Sequence, residues 1–404
     1  MKSNRKILFL ARWYPDRYDP MPGLFIKRHA EVAADFNDTA LLYLRAAPEK
    51  PMGFEIDHVI ENQIFTVRVY YGTNFSTNST LRTLLSALQF IRAFFKGYGF
   101  IKKNWGIPEI THVNVLTRLG LLALWLKIFS GIKYVITEHW SRYLPSTGSY
   151  KGFFRKIATK AVVSNAEAVS TVSLNLAEAM QSHGLKNRHY LVLPNVVDTE
   201  AYNIVNLTLL SEGETLIKEA IASRPLKRLL HISCFEDKSK NISGLLRVIS
   251  KLATERNDFE CVMVGDGADF QRMKRLASIL KLDDKVIFTG LLEGSALINT
   301  YKSSDFMVMF SNYENMPVVI SESFACGLPV IATSVGGIPE YVNPSNGILV
   351  APGDETALLD SISFLLDHYK DYDRNVIRNS AVSIFGKDAI REKLAELYSF
   401  AINE

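Results

Sequence analysis

The residues best placed to do chemistry run from Glu314 through Asn315, Met316, Pro317 and Val318 into a helix-like segment that carries Glu322. They directly follow the strand-like run Phe-Met-Val-Met-Phe-Ser, residues 306–311. A strand-to-helix junction of this kind, at the carboxyl end of a parallel strand, is where open α/β sheets place ligands. A helix start leaves backbone N–H groups without intrahelical partners, so those of Asn315, Met316 and Val318 can hold oxygen atoms. Pro317 has no donor to lose and is accepted in a first turn. Glu314 is then placed for a single hydroxyl and Glu322, about two turns on, for a vicinal diol. The same acids near a helix start also serve as plain dipole partners, so the pair alone specifies no ligand.

Further candidates lie in other strand-to-helix loops. Lys238 and Lys240 follow the strand-like Arg-Leu-Leu-His-Ile-Ser-Cys run, residues 228–234, and are either anion contacts or a solvated turn beside Glu236 and Asp237. Gly265, in Val-Gly-Asp-Gly, permits a tight turn and a close backbone approach. Gly23 precedes a helical pattern after the first strand, where a glycine amide and the helix dipole can meet a phosphate or simply end a connection. His139 closes the strand-like Tyr134–Glu138 run and is either a site residue or a capping residue.

The elements that must position these residues alternate. Strand-like runs at 6–11, 40–45, 111–116, 133–138 and 168–173, then at 228–234, 260–267, 285–290, 306–311 and 329–334, are each followed by a turn and a helical pattern. A βαβ rhythm of this kind implies parallel sheets covered by helices, and 404 residues imply two such domains. We expect an α/β chain with two Rossmann-like, doubly wound domains at 1–193 and 194–386. A C-terminal amphipathic helix, 387–404, carries Ile390, Leu394, Leu397, Tyr398 and Ala401 at helical spacing and can pack on either domain.

Charge is divided unevenly. Residues 1–193 hold 25 Lys and Arg against 13 Asp and Glu, or +12; the remainder holds 46 − 25 = 21 against 42 − 13 = 29, or −8. Such asymmetry points the first half towards an anionic surface or substrate. The stretch 81–105 mixes apolar residues with Arg82, Arg92, Lys96, Lys102 and Lys103, which suits either an anionic membrane surface or an ordinary helix pair. The apolar run at 7–11 is cut by Arg12 before it could serve as a signal-peptide core and reads as a buried strand, and the run at 119–128 is roughly half of the ~20 residues that span a bilayer. Cys234, Cys261 and Cys326 show no zinc spacing and suit a reducing, cytoplasmic compartment.

Residues 314–322, together with Gly327-Leu-Pro-Val330 and Gly336-Gly-Ile-Pro-Glu340, resemble the donor-binding signature of family 4 glycosyltransferases. Pro194-Asn-Val-Val-Asp198 is similar to the family's boundary motif, with Val196 in place of a glycine, and Val264–Gly267 and Phe288–Gly290 also match. The resemblance implies a GT-B fold, two domains facing across a cleft, and a retaining hexosyl transfer. It implies a nucleotide-sugar donor of UDP, GDP or ADP type, a glycan or lipid-linked acceptor, and no cofactor, metal or nucleic-acid partner. It assigns donor contacts to Gly23, Lys238, Lys240, Gly265, Gly290, Leu291, Glu314, Asn315, Met316, Pro317, Val318 and Glu322, with Glu322 on the ribose diol. His139, Glu314 and Lys240 are implied to be the catalytic set. Surface polysaccharide or glycolipid synthesis at the inner face of the cytoplasmic membrane is the expected setting. A non-catalytic sugar-nucleotide binder and a sugar-nucleotide epimerase or phosphorylase are the alternatives.

Overall fold

Two sets of β-branched and aliphatic runs build two separate sheets in the computed structural model, which describes residues 5–47, 53–73, 79–116, 118–204 and 226–402. The first unit comprises Met1–Val172, Leu176–Val196 and Ile390–Glu404; the second comprises Ser173–Asn175 and Val197–Ala389.

The first unit contains β1 (Lys6–Ala11), α1 (Leu24–Ala34), β2 (Asp38–Ala46), β3 (Phe54–Glu61), β4 (Ile64–Tyr71), α2 (Ser79–Asn104), β5 (Ile110–Asn114) and α3 (Arg118–Ser130). It continues with β6 (Lys133–Glu138), α4 (Phe153–Ser164), β7 (Ala168–Thr171), α5 (Leu174–Ser182), whose first two residues group with the second unit, and β8 (Tyr190–Val192). The sheet order is β3-β4-β2-β1-β5-β6-β7-β8. All pairings are parallel except β3 with β4. The chain builds outward from β1 in one direction and, from β5, in the other, so the topological switch point lies between β1 and β5.

The β3-β4 hairpin is absent from the sequence expectation. Its turn residues Asn62 and Gln63 both take positive φ, 49° and 64°, the geometry of a tight two-residue hairpin turn. β3 is a largely exposed edge strand, so its residues carry little apolar alternation. The expected strand 111–116 stops at Asn114, because Val115 turns out of the sheet with φ of 70°. Within the 81–105 stretch, residues 81–104 form part of one 26-residue helix, α2, in place of a helix pair.

The second unit contains β9 (Lys227–Ile232), α6 (Asp237–Lys240), α7 (Ile242–Glu255), β10 (Phe259–Val264), α8 (Phe270–Ile279), β11 (Val286–Gly290), α9 (Gly294–Lys302) and β12 (Phe306–Met309). There follow α10 (Val318–Ala325), β13 (Val330–Thr333), β14 (Gly347–Val350), α11 (Glu355–His368) and α12 (Arg374–Phe385). Its six strands run in the order β11-β10-β9-β12-β13-β14, all parallel, with the switch point between β9 and β12. Leu229, Val308 and Ile331 of the strands pack with Leu245, Ile249, Ile362 and Leu365 of the covering helices.

The last helix, α13 (Lys387–Ile402), groups with the first unit. Ile390, Leu394, Leu397, Tyr398 and Ala401 are all buried there, and the Tyr398 hydroxyl lies 2.9 Å from Nδ1 of His112. Burial of each large apolar side chain stabilises by about 1.5–3 kcal/mol, which ties the chain's end into this core.

Buried histidines make stability pH-dependent. Burial lowers the pKa of His29 and His231 to about 4 and that of His112 to about 3, from an ordinary 6.5. The unfolded chain therefore takes up these protons first, and the stability present above pH 6.5 is lost as pH falls towards about 4. Glu138, raised to about 7 by burial, acts in the opposite sense over the same window. Three histidines outweigh one carboxyl, so the melting temperature is expected to fall between pH 7 and pH 5. A flat profile in calorimetry would contradict this reading.

Candidate functional site

In the second unit, four consecutive loops at the carboxyl ends of β11, β10, β9 and β12 carry the expected site residues up to Val318, and the helix after β12 carries Glu322. The loop after β9 turns into α6, a single turn, and presents Lys238 exposed and Lys240 half-buried. The loop after β12 carries Glu314, which is 8% exposed. These two loops flank the switch point, and across it Lys240 Nζ meets Glu314 Oε1 at 2.5 Å. The Ser311 hydroxyl donates to the same Glu314 oxygen at 2.8 Å. Burial disfavours the Lys240 charge, yet the Glu314 carboxylate outweighs it and holds the ammonium pKa above its ordinary value. The pair is thus a fixed cation beside a fixed anion. An ammonium has three donors, and Glu314 takes one of them.

Pro317 is the N-cap of α10, with extended backbone at φ −71° and ψ 125°, and Val318 is its first residue, so Pro317 stands just before the first turn in which it was expected and Asn315 and Met316 precede the helix. The Val318 N–H therefore sits at the helix start, where backbone donors are left over. Met316 is buried. The backbone of Asn315 is fixed from below, since its carbonyl accepts from Gly337 N at 2.7 Å and its side-chain oxygen accepts from Ser173 at 2.9 Å. Gly336 takes φ of 57° and passes so close that an added Cβ would lie 2.1 Å from the Glu314 carbonyl oxygen. The Gly336-Gly337 pair is thus a backbone platform for Glu314 and Asn315. Glu340, at the end of the same segment, accepts the backbone N–H groups of Leu174 and Asn175 at 2.8 and 2.7 Å.

Glu322 lies on α10 and is 5% exposed. The buried Tyr301 hydroxyl of α9 donates to its Oε2 at 3.0 Å. Burial first, and the Glu322 charge second, hold that hydroxyl well above its ordinary pKa, so it stays protonated and donates. Tyr301 was not among the sequence candidates; only its place in α9, 21 residues from Glu322, connects the two. At the end of β10, Gly265 donates its N–H to Gly290 O at 2.9 Å, and a Cβ there would lie 1.9 Å from Ser233 O. Gly290 has φ of 72°, and Leu291 beside it is half exposed.

In the first unit, Gly23 is the left-handed N-cap of α1, with an added Cβ 2.1 Å from the Trp13 carbonyl oxygen. His139 follows β6 and is half-buried, its Nε2 3.2 Å from Asn114 Oδ1. The ring of Phe25, two residues after Gly23, lies 4.6 Å from the His139 ring, so the fold brings these two loops together. Burial, followed by the neighbouring His29 and His112, holds His139 well below its ordinary pKa, so it is neutral at pH 7. Glu138 anchors this loop, its carboxyl accepting from the backbone of Leu116, His139 and Trp140 at 2.9, 3.0 and 2.8 Å.

Residues 217–381 match the family model described as glycosyl transferases group 1, and residues 46–201 that described as glycosyltransferase family 4. N-acetyl-alpha-D-glucosaminyl L-malate synthase of Bacillus anthracis is 33% identical over 208 residues, which is 50% of this chain and 53% of that protein. The chain spans about half or less of the length of the first curated relatives it matches. Among solved structures, sucrose-phosphate synthase from Thermosynechococcus elongatus superposes with a TM-score of 0.78 at 19% identity, covering 99% of this chain and 100% of that one. HepE from Anabaena in complex with UDP gives 0.71 at 16% identity, covering 98% and 99%.

Proposed function

We propose that this chain, which belongs to the group 1 family of glycosyl transferases and has the GT-B fold, moves a sugar from a nucleoside-diphosphate sugar bound by the second unit to an acceptor bound by the first. The observation that carries the reading is the Lys240–Glu314 pair across the second sheet's switch point, beside the start of α10.

Each part has a task in that reaction. As the bond from the anomeric carbon to the diphosphate breaks, negative charge gathers on the leaving group. Lys240, Lys238 and the N–H groups that open α10 supply fixed positive charge for it, which lowers the barrier without reorganisation. Glu314 orients Lys240 and accepts from a sugar hydroxyl; Glu322, positioned by Tyr301, accepts from the ribose diol. Gly23 and His139, on the first unit, keep the roles that the resemblance implies, a phosphate contact and a sugar contact. The acceptor oxygen attacks on the face the diphosphate leaves, and its proton passes to a diphosphate oxygen, so the anomeric configuration is retained. Two lysines in place of a metal make the reaction metal-independent.

The acceptor is a glycan or lipid-linked molecule. The names of the relatives, with L-malate in one and a phosphatidylinositol mannoside in another, support acceptors that carry negative charge. No helix among the described residues is long and apolar enough to cross a membrane. At the start of α4 the first unit does expose Phe153 and Phe154, with Phe154 84% exposed, beside Arg155 and Lys156. That face supports peripheral contact with anionic lipid at the site of synthesis.

The test is a donor panel of UDP-, GDP- and ADP-sugars with the anomer of the product read by NMR. Turnover of one nucleotide class, with retention and undiminished by EDTA, is expected. Inverted product or complete loss in EDTA would overturn the mechanism. Co-sedimentation with vesicles that ignores anionic lipid content would remove the membrane contact.

A further inference from the structure

A cavity of about 260 Å³ in the first unit is lined by four arginines, Arg12, Arg118, Arg142 and Arg155, together with Trp140 and Thr159. Its walls come from the carboxyl ends of three adjacent strands: Arg12 directly follows β1, Arg118 opens α3 after β5, and Trp140 and Arg142 follow β6, while Arg155 and Thr159 lie on α4. The cavity therefore straddles the switch point between β1 and β5, where this class of sheet places its ligand.

The four guanidinium groups lack the partners that arginines elsewhere in this unit possess. Arg17 meets Glu55, Arg45 meets Asp16 and Arg68 meets Glu61. None of the four cavity arginines has a carboxylate within ion-pair distance among the described residues; Arg155 donates only to the Lys151 carbonyl, and Arg142 stacks on the Trp140 ring at 3.5 Å. Nε of Arg12 is buried with no hydrogen-bond partner. The nearby acid, Glu138, is buried and already accepts from three backbone N–H groups. After burial, mutual repulsion between Arg12 and Arg118, and between Arg142 and Arg155, is what most disfavours charge on Arg12 and on Arg142. Unpaired like charges around a cavity are unfavourable unless a ligand compensates them.

We propose that this cavity binds a phosphate or pyrophosphate group of the acceptor and so selects a polyanionic acceptor for the reaction. The proposal rests on the transferase reading above. Guanidinium forks match phosphate oxygens in pairs, and four of them suit more than one negative charge. Trp140 and Arg142 sit one and three residues beyond His139, so an acceptor anchored here reaches the loop that carries it. Val115, held at φ of 70° between β5 and α3, is a strained β-branched residue where the chain turns to place Arg118.

The experiment is titration calorimetry on the full chain with inorganic pyrophosphate, in the presence of saturating UDP so that the donor site is closed to it. The wild type is expected to bind, and the Arg142→Gln/Arg155→Gln double variant to bind at least about tenfold more weakly, a loss of roughly one charge-assisted contact. Arg155→Gln alone, a change at the surface of α4, gives a smaller loss and serves if the double variant does not fold. UDP affinity is read separately in each variant and stays unchanged; its absence in the wild type would count against the transferase reading, not against the cavity. Farnesyl pyrophosphate binding more tightly than glucose 1-phosphate assigns a lipid-linked acceptor, and the reverse order assigns a soluble one; either supports the site. No pyrophosphate binding, or equal affinity in wild type and arginine variants, overturns it.

Discussion

Lys240→Met is expected to lower transfer by about 10²–10³-fold, the range seen when one preorganised donor to a developing anion is removed. The same change strands Glu314, whose buried carboxylate keeps only the Ser311 hydroxyl. Loss of one partner from a buried pair typically destabilises by several kcal/mol; because the Lys240 side chain is 16% exposed, about 2–3 kcal/mol is expected here. The two effects separate in Lys240→Met/Glu314→Gln. Neutralising Glu314 removes the stranded charge, so the double variant regains most of its melting temperature and none of its activity. A Lys240→Met protein that turns over at near wild-type rate would show that the pair is structural only.

The largest effect on folding is expected at Gly336. Alanine there places a methyl carbon 2.1 Å from the Glu314 carbonyl oxygen, and φ of 57° is unfavourable for it as well. The clash cannot be relieved by a side-chain rotation, because the obstacle is backbone. About 3 kcal/mol of stability is expected to be lost, together with donor binding, because relief comes only by moving the loop that holds Glu314 and Asn315. Gly290→Ala is the matched control. Gly290 has a similar φ of 72° but no atom within 4 Å of an added Cβ, so only backbone strain of about 1 kcal/mol remains. Equal denaturation midpoints for the two variants would remove the platform role of Gly336.

Much of the second unit's site was legible because its parts are short, contiguous and tied to strand ends. Glu314 to Glu322 is one segment, and a strand followed by a helix puts it at the carboxyl edge of a parallel sheet whatever the strand order. The strand order itself was not legible, and it is the order that sets β9 beside β12 and Lys240 against Glu314, 74 residues apart. Tyr301 escaped for the same reason, since nothing in α9 marks it as the partner of Glu322. The C-terminal helix showed its buried face through 3.6-residue spacing, but periodicity names a face and not the surface it meets. In the first half, a net charge of +12 raised the expectation of an anionic partner and named no place for it. Arg12, Arg118, Arg142 and Arg155 come from four separate segments, and only the folded sheet gathers them. The β3-β4 hairpin was hidden because an exposed edge strand has no core-facing stripe to betray it.

In the proposed reaction the second unit binds a nucleoside diphosphate through Lys240, Glu314 and Glu322, and everything else depends on that binding. It is tested most directly by calorimetric titration of UDP, GDP and ADP into the wild type, Lys240→Met and Glu322→Gln proteins. One preferred nucleotide is expected, with affinity at least about tenfold weaker in each variant. Absence of binding by all three nucleotides, or binding that both variants leave unchanged, would contradict it.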